Sequence, residues 1–253
     1  MWASWSGDSN HTSERSHSDI VRMTNLYRML REGWRLLPPG VRGLDPVRRF
    51  TQPIAGAFRE HNQSLYHSAY FDTDVEPAAA RASKVITESI CRDLKPSSVI
   101  DLGCGTGALL AELAKRGVDT MGLEYSDAAV EIARARNVNV RKFDVRFDSV
   151  ETLGRFDVVC CTEVAEHVPG KFAARLVGSV TSLARIAVFT AATPGQGGVD
   201  HVNEQPHDYW IEKFAKAGYD FDSQRSAAWR AEWRQAGIQD WYWKNVMIFS
   251  TRA

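Results

Sequence analysis

The chain has 253 residues, 44 % of them hydrophobic and 25 % charged, the balance of an ordinary globular protein rather than a fibrous or low-complexity one. Lys plus Arg and Asp plus Glu number 31 each, so the net charge is zero before the histidines; this argues against a nucleic-acid partner and an acidic disordered tail. No apolar run reaches the roughly 18 residues of a membrane span, and the polar start, Met1 to Ser18, lacks the apolar centre of a signal peptide, so a cytoplasmic location is expected.

Residues 1–18 are rich in Ser, His and Asn and are predicted to be a disordered tail. Residues 19–76 carry Leu26, Met29, Leu30 and Leu37 at helical spacing, broken by Pro38-Pro39-Gly40, with a second helical piece from Val47 to Glu60. This extension is read as a lid, a substrate or homodimer surface, or plain amphipathic packing onto the core. From residue 77 to 253 helix and strand patterns alternate. Helices are predicted at Pro77–Leu94, Ala108–Arg116, Asp127–Arg136, Phe172–Leu183 and Asp208–Ala217, the second and last closed by Gly117 and Gly218. Strands are predicted at Ser98–Leu102, Thr120–Glu124, Val138–Asp144, Phe156–Thr162, Ile186–Thr190, Tyr219–Ser223 and Asn245–Thr251. The alternation implies an α/β fold with a mostly parallel sheet covered on both faces, and the last two strands suit an antiparallel hairpin at its edge. Cys91, Cys104, Cys160 and Cys161 form no C-x-x-C pair and read as reduced, buried thiols.

The sharpest signal is Val99-Ile100-Asp101-Leu102-Gly103-Cys104-Gly105-Thr106-Gly107, an apolar strand that ends in alternating glycines before a helix. Glycine admits positive φ and lets a ligand lie against the main chain. Gly103-x-Gly105-x-x-Ala108 also fits a dinucleotide fingerprint. Asp101 speaks against that: a carboxylate at the mouth of the turn repels a pyrophosphate and suits a cation.

The whole string, D-x-G-x-G-x-G after an apolar strand, resembles motif I of the class I S-adenosylmethionine-dependent methyltransferases. The resemblance extends over about residues 77–253. It implies a Rossmann-like, doubly wound seven-stranded sheet and S-adenosyl-L-methionine as cofactor. It also implies a cofactor site of Asp101, Gly103, Cys104, Gly105 and Gly107 at the first strand. Glu124 would bind the ribose hydroxyls, Tyr125 and Ser126 would flank the adenine, and Asp144 with Val145 would receive the adenine amino group. Thr162 closes the fourth strand, where Phe156 to Glu163 is similar to motif IV.

On the acceptor side, Thr162-Glu163-Val164-Ala165-Glu166-His167-Val168-Pro169 follows that strand. As a helical turn it would put Glu163, Glu166 and His167 on one face. His167 is then a candidate general base held by a carboxylate. Alternatively, the cluster binds a divalent ion such as Mg2+ that lowers the pKa of an acceptor hydroxyl. A third reading is a loop brace without chemistry. E-x-x-E-H resembles the metal motif of the small-RNA 3′-end 2′-O-methyltransferases and a segment of ubiquinone-pathway O-methyltransferases. That implies a metal set of Glu163, Glu166, His167 and His201, although this chain lacks a basic surface for an RNA end.

The run from Thr190 to Gly198 reads as a flexible loop that, with His201 to Trp210, walls the acceptor pocket; His207 starts a helix. Similar H-x-N-x-x-P-x-x-Y-W-I stretches occur in bacterial methyltransferases of sugars, glycolipids and secondary metabolites. Trp229, Trp233, Trp241, Tyr242 and Trp243 are either core or an aromatic acceptor wall, and Arg225, Arg230 and Arg234 either hold an anionic acceptor or face solvent. The expected activity is methyl transfer to a small-molecule hydroxyl. C- or N-methylation in a secondary-metabolite pathway and a non-catalytic S-adenosylmethionine-binding partner protein are the alternatives.

Overall fold

The structure is a computed structural model, and it describes residues 76–198 and 200–252. The expected tail and all but the last residue of the expected helical segment lie outside them.

Seven strands form one sheet. In chain order the elements are α1 (Glu76–Asp93), β1 (Ser98–Leu102), α2 (Ala108–Ala114), β2 (Asp119–Glu124), α3 (Asp127–Ala135), β3 (Val140–Lys142) and β4 (Phe156–Cys161). A 3-10 turn (Gly170–Phe172) then leads into α4 (Ala173–Leu183) and β5 (Ala184–Phe189). They are followed by α5 (His207–Lys216), β6 (Tyr219–Phe221), α6 (Ser223–Gln235), α7 (Asp240–Asn245) and β7 (Met247–Thr251). The strand order is β3-β2-β1-β4-β5-β7-β6. The pairs among β1 to β5 are parallel, and β7 runs against both β5 and β6.

Strand alternation builds a core on each face. Ile100, Val159, Cys161, Phe189, Met247 and Phe249 point to one cluster with Leu176, Val180 and Phe214 of α4 and α5. Val99, Val158, Cys160, Val188 and Ile248 point to the other, with Ile86, Leu110, Val130, Trp229 and Trp233 of α1, α2, α3 and α6. These strands are apolar on both sides because helices cover both sides. All four cysteines are free, and three are buried.

Side chains and turns that claim backbone groups account for two of the differences from the expected boundaries. β3 keeps three residues. At its start the Val138 N–H returns to the Ala133 carbonyl near the end of α3, and at its end the Asp144 N–H donates to the Asp148 carboxylate while the Asp148 N–H donates to the Asp144 carbonyl. Ser223 begins α6 instead of ending β6, because Asp222 caps that helix through the Arg225 N–H. The reversed edge pair expected from the sequence is present, and two helices, α6 and α7, join its strands. This connection brings residues 240–247 to the edge where β5 ends, since Phe189 pairs with Met247.

Among the described residues no helix is long and apolar enough to cross a membrane.

Candidate active site

In an open parallel sheet the crevice lies beyond the carboxyl ends of the strands. At the end of β1, the N–H groups of Gly103 and Cys104 both donate to the Leu123 carbonyl (2.7 and 3.1 Å), which curls the chain over the end of β2. Gly103 has φ +83°, and a methyl group built on it would lie 2.3 Å from Cγ2 of Val164. A side chain there meets both strain and a clash. Gly105 has φ +54° and nothing within 4 Å of its missing side chain, so its backbone borders open space. Cys104 is buried beneath the turn, with its sulfur against Gly122, and Gly107 caps α2 in the left-handed conformation.

Two carboxylates face this turn. Asp101 is 2 % exposed and its Oδ1 has no hydrogen-bond partner. Burial, with a smaller push from Glu124, raises its pKa to about 7. Glu124, at the end of β2, accepts the Gly105 N–H (2.8 Å) and the Ser126 N–H (2.6 Å). Burial pushes its pKa up, and those N–H groups act the other way. Ser126 is the N-cap of α3, accepting the Ala129 N–H. The Tyr125 ring lies beside the Lys142 ammonium and the Arg146 guanidinium, about 5 Å from each (5.1 and 5.0 Å). Asp144 is engaged differently from the expectation. The Arg146 guanidinium grips both of its oxygens. These bonds outweigh burial and lower its pKa. The carboxylate expected to meet an adenine thus already has a partner. The Val145 carbonyl accepts from Arg175 (2.9 Å).

The second cluster forms where β4 and β5 end. Thr162 leaves β4, and Glu163 turns the chain with φ +57°. That left-handed residue ends any continuous helix, so Glu163 does not share a helical face with Glu166 and His167 as expected. Two tight turns follow, with His167 N–H on Val164 and Val168 N–H on Ala165. Glu166 is 0 % exposed, and neither of its carboxylate oxygens has a hydrogen-bond partner of good geometry. Burial raises its pKa to about 7, while the peptide N–H groups of Glu166 and Ala192 restrain the shift. Burial first, and then Glu166, hold Glu163 well above the usual carboxylate range.

A distant loop completes the cluster. The Val202 and Asn203 N–H groups both donate to the Glu166 carbonyl (2.8 and 3.0 Å), and Asn203 Nδ2 donates to the Ala165 carbonyl (3.2 Å). This clamp brings His201 edge-on to His167, with ring centroids 5.0 Å apart. Ligand atoms of Glu166, His167 and His201 all lie within 4.8 Å of one another. Donors around one ion at about 2.0–2.4 Å sit no more than about 4.8 Å apart, so the donor set fits a divalent cation. Glu163 is not one of these three; its carboxylate meets that of Glu166 and also the side chains of Thr190 and Asn245.

Other expectations sort by position. Trp229 and Trp233 are core residues, their indole N–H groups donating to Asp93 (2.7 Å) and Ser89 (2.9 Å) against α1. Arg230 donates to the Val246 carbonyl (3.1 Å), Arg225 pairs with Asp222, and Arg234 lies over the Trp243 ring. α5 starts at His207 as expected. Tyr242 belongs to the site more closely than the other aromatics. Burial first, and then the charges of Glu163, Asp101 and Glu166, push its phenol pKa up. Thr190 and Asn245 were not singled out from sequence. Thr190 Oγ1 accepts the Glu163 N–H (2.8 Å), and Asn245 donates to Gln196 (2.8 Å).

A family profile described as a methyltransferase domain matches residues 72–241. The chain belongs to this methyltransferase family. It is an S-adenosylmethionine-dependent methyltransferase domain of the class I type. Over 83 residues the methyltransferase is 40 % identical to the ubiquinone biosynthesis O-methyltransferase of Acinetobacter baumannii, a stretch covering 30 % of this chain and 35 % of that one. The match thus spans about a third of that curated relative's length. A solved structure of the magnesium protoporphyrin IX methyltransferase of Synechocystis PCC 6803, with bound S-adenosylhomocysteine, superposes with a TM-score of 0.56 at 16 % identity, covering 77 % of this chain and 100 % of that one. The sugar N-methyltransferase of Streptoalloteichus sp ATCC 53650 superposes with a TM-score of 0.52 at 17 % identity, covering 73 % and 91 %. At these identities the superpositions show the methyltransferase fold.

Proposed function

We propose that this methyltransferase O-methylates a hydroxyl group of a small molecule, in the chemical range of sugars, glycolipids and secondary metabolites. The observation that carries the proposal is the convergence of Glu166, His167 and His201 next to the glycine turn, around the fully buried carboxylate of Glu166. An amine acceptor brings its own nucleophilic lone pair, whereas an aliphatic hydroxyl gains from a base or a cation.

In this reading the cofactor lies along the ends of β1 and β2. When bound, S-adenosylmethionine supplies a sulfonium-activated methyl carbon for in-line displacement. Asp101 pairs with its cationic amino group, Gly105 lets it lie against the backbone, and Glu124 receives its ribose hydroxyls. Tyr125 and Ser126 flank its adenine. The open space at Gly105 and the unpartnered Oδ1 of Asp101 support the fit. His167 takes the proton from the acceptor hydroxyl, and Glu166 beside it stabilises the resulting charge. A divalent ion, if used, would be held by Glu166, His167 and His201 and would lower the pKa of the acceptor hydroxyl. The enzyme's main contribution is alignment and exclusion of water. The ubiquinone-pathway relative, an O-methyltransferase by name, is consistent with a hydroxyl acceptor.

The test is methyl transfer from labelled S-adenosylmethionine to panels of hydroxyl and amine acceptors, with added Mg2+ and with chelator. Label in hydroxyl compounds supports the proposal. Label confined to amines or carbon acceptors overturns it.

A further inference from the structure

The β5–α5 loop holds a second carboxylate, Glu204, whose role extends the cluster just described. Its side chain is nearly buried. Oε2 accepts the Gly195 N–H (2.9 Å), and Oε1 accepts the Gly197 N–H (2.8 Å). Oε1 also accepts Nδ1–H of His201 (3.2 Å). One carboxylate thus gathers two backbone donors of the glycine loop and one imidazole. The loop is shaped for it: Gly195, Gly197 and Gly198 all have positive φ, and a methyl group on Gly198 would lie 2.3 Å from Nε2 of His201.

We propose that Glu204 is a positioning residue: it fastens the loop 195–198 onto the His201 ring and fixes that ring's tautomer, so loop closure and readiness of the Glu166–His167–His201 group are one event. The chemistry follows from the contacts. A carboxylate only accepts, so His201 carries its proton on Nδ1 and keeps its lone pair on Nε2. A carboxylate behind an imidazole in this way sets the ring's orientation and basicity. The same carboxylate closes the loop that borders the acceptor. Gln196, between the two donating glycines, accepts from Asn245 at the end of α7, which ties the loop to the segment before β7. The role of this group in metal or proton chemistry rests on the proposed function; the fastening itself does not.

The experiment uses the full chain and Glu204→Ala, with Glu204→Gln as a second variant that retains one acceptor oxygen. Three quantities are read: amide hydrogen exchange at residues 195–197, the His201 tautomer by long-range 1H–15N correlation, and Co2+ affinity by calorimetry. The wild type should show His201 protonated on Nδ1. Glu204→Ala should speed exchange at Gly195 and Gly197 by about tenfold or more, release the fixed tautomer, and weaken Co2+ binding by about 10–100-fold. Glu204→Gln should fall between. If the folded Ala variant exchanges at the wild-type rate, or if wild-type His201 carries its proton on Nε2, the proposal is overturned. If the wild type takes no Co2+, the metal reading falls, and exchange and tautomer alone decide the fastening.

Discussion

The ends of β1 and β2 and the ends of β4 and β5 are two pockets built on opposite plans. The first is made of backbone. Its turn follows directly from β1, its shape comes from positive-φ glycines, and the Glu124 carboxylate is held by the backbone N–H groups of Gly105 and Ser126. The second is made of side chains from separate stretches, 162–167 and 190–204, joined by hydrogen bonds to the backbone of Ala165 and Glu166. A backbone cradle recognises one constant ligand, because its geometry depends little on side-chain identity. A pocket of converging side chains changes partner by exchanging residues. In the proposed function the first holds the methyl donor, which the whole family shares, and the second holds the acceptor.

Perturbations in order of expected size probe that division. His167→Ala should lower kcat by about 10^2–10^4-fold, the range of a lost general base or ligand, while calorimetry finds S-adenosylhomocysteine affinity within about twofold of wild type. A matching loss of affinity would erase the boundary between the two pockets. Gly103→Ala should cost about 2–4 kcal/mol of stability in urea unfolding, from strain at positive φ and collision with Val164. Adding Val164→Ala should recover the collision share alone, a coupling read from the double-mutant cycle. Glu124→Ala should weaken S-adenosylhomocysteine by about 10–100-fold, the range for hydrogen bonds to a charged group, with the acceptor KM little changed.

Asp101 supplies a pH test. Its pKa is raised from 3.8 to about 7, so below that pH the folded protein holds a proton that must leave before a cation can pair. S-adenosylhomocysteine affinity should therefore fall by up to about tenfold per pH unit below pH 7 and level off above it. Asp101→Asn should flatten the profile. For the ligand-free fold the sign is opposite: the Asp101 contribution to stability is full below pH 3.8 and is lost as pH rises through about 7. The smallest effect is expected at Asp144, already gripped by Arg146. Asp144→Ala should change S-adenosylhomocysteine affinity by no more than about threefold, roughly the value of a partly exposed ion pair.

The backbone pocket was legible because its signal is contiguous: apolar strand, acid and alternating glycines can be read without knowing what lies nearby. The covered faces followed from alternation, whereas the strand order is given only by the pairing in the structure. The side-chain pocket was legible only in part. Glu166 and His167 stood out, and His201 was named, but Glu163 was assigned to a helical face that its left-handed φ forbids. Nothing local in Thr162-Glu163-Val164 marks that turn. Glu204 read as one more polar residue in a polar string, because its partners are glycine N–H groups seven and nine positions away. Asn245 was hidden by topology, and Tyr242 was named only as one of five aromatic candidates. They reach the site because β7 is reversed and α6 and α7 carry the chain back to the edge.

The approach of Gly103 to Val164 has a consequence for changing this enzyme's acceptor. In the proposed function the donor and acceptor sites meet where the Val164 isopropyl group packs against Gly103. Remodelling on the acceptor side of that contact leaves the donor's seat untouched, whereas any bulk added at residue 164 presses first on the turn that must cradle the donor. Altered specificity is therefore to be sought in the 190–204 loop and around Tyr242, with Val164 kept as the fixed border.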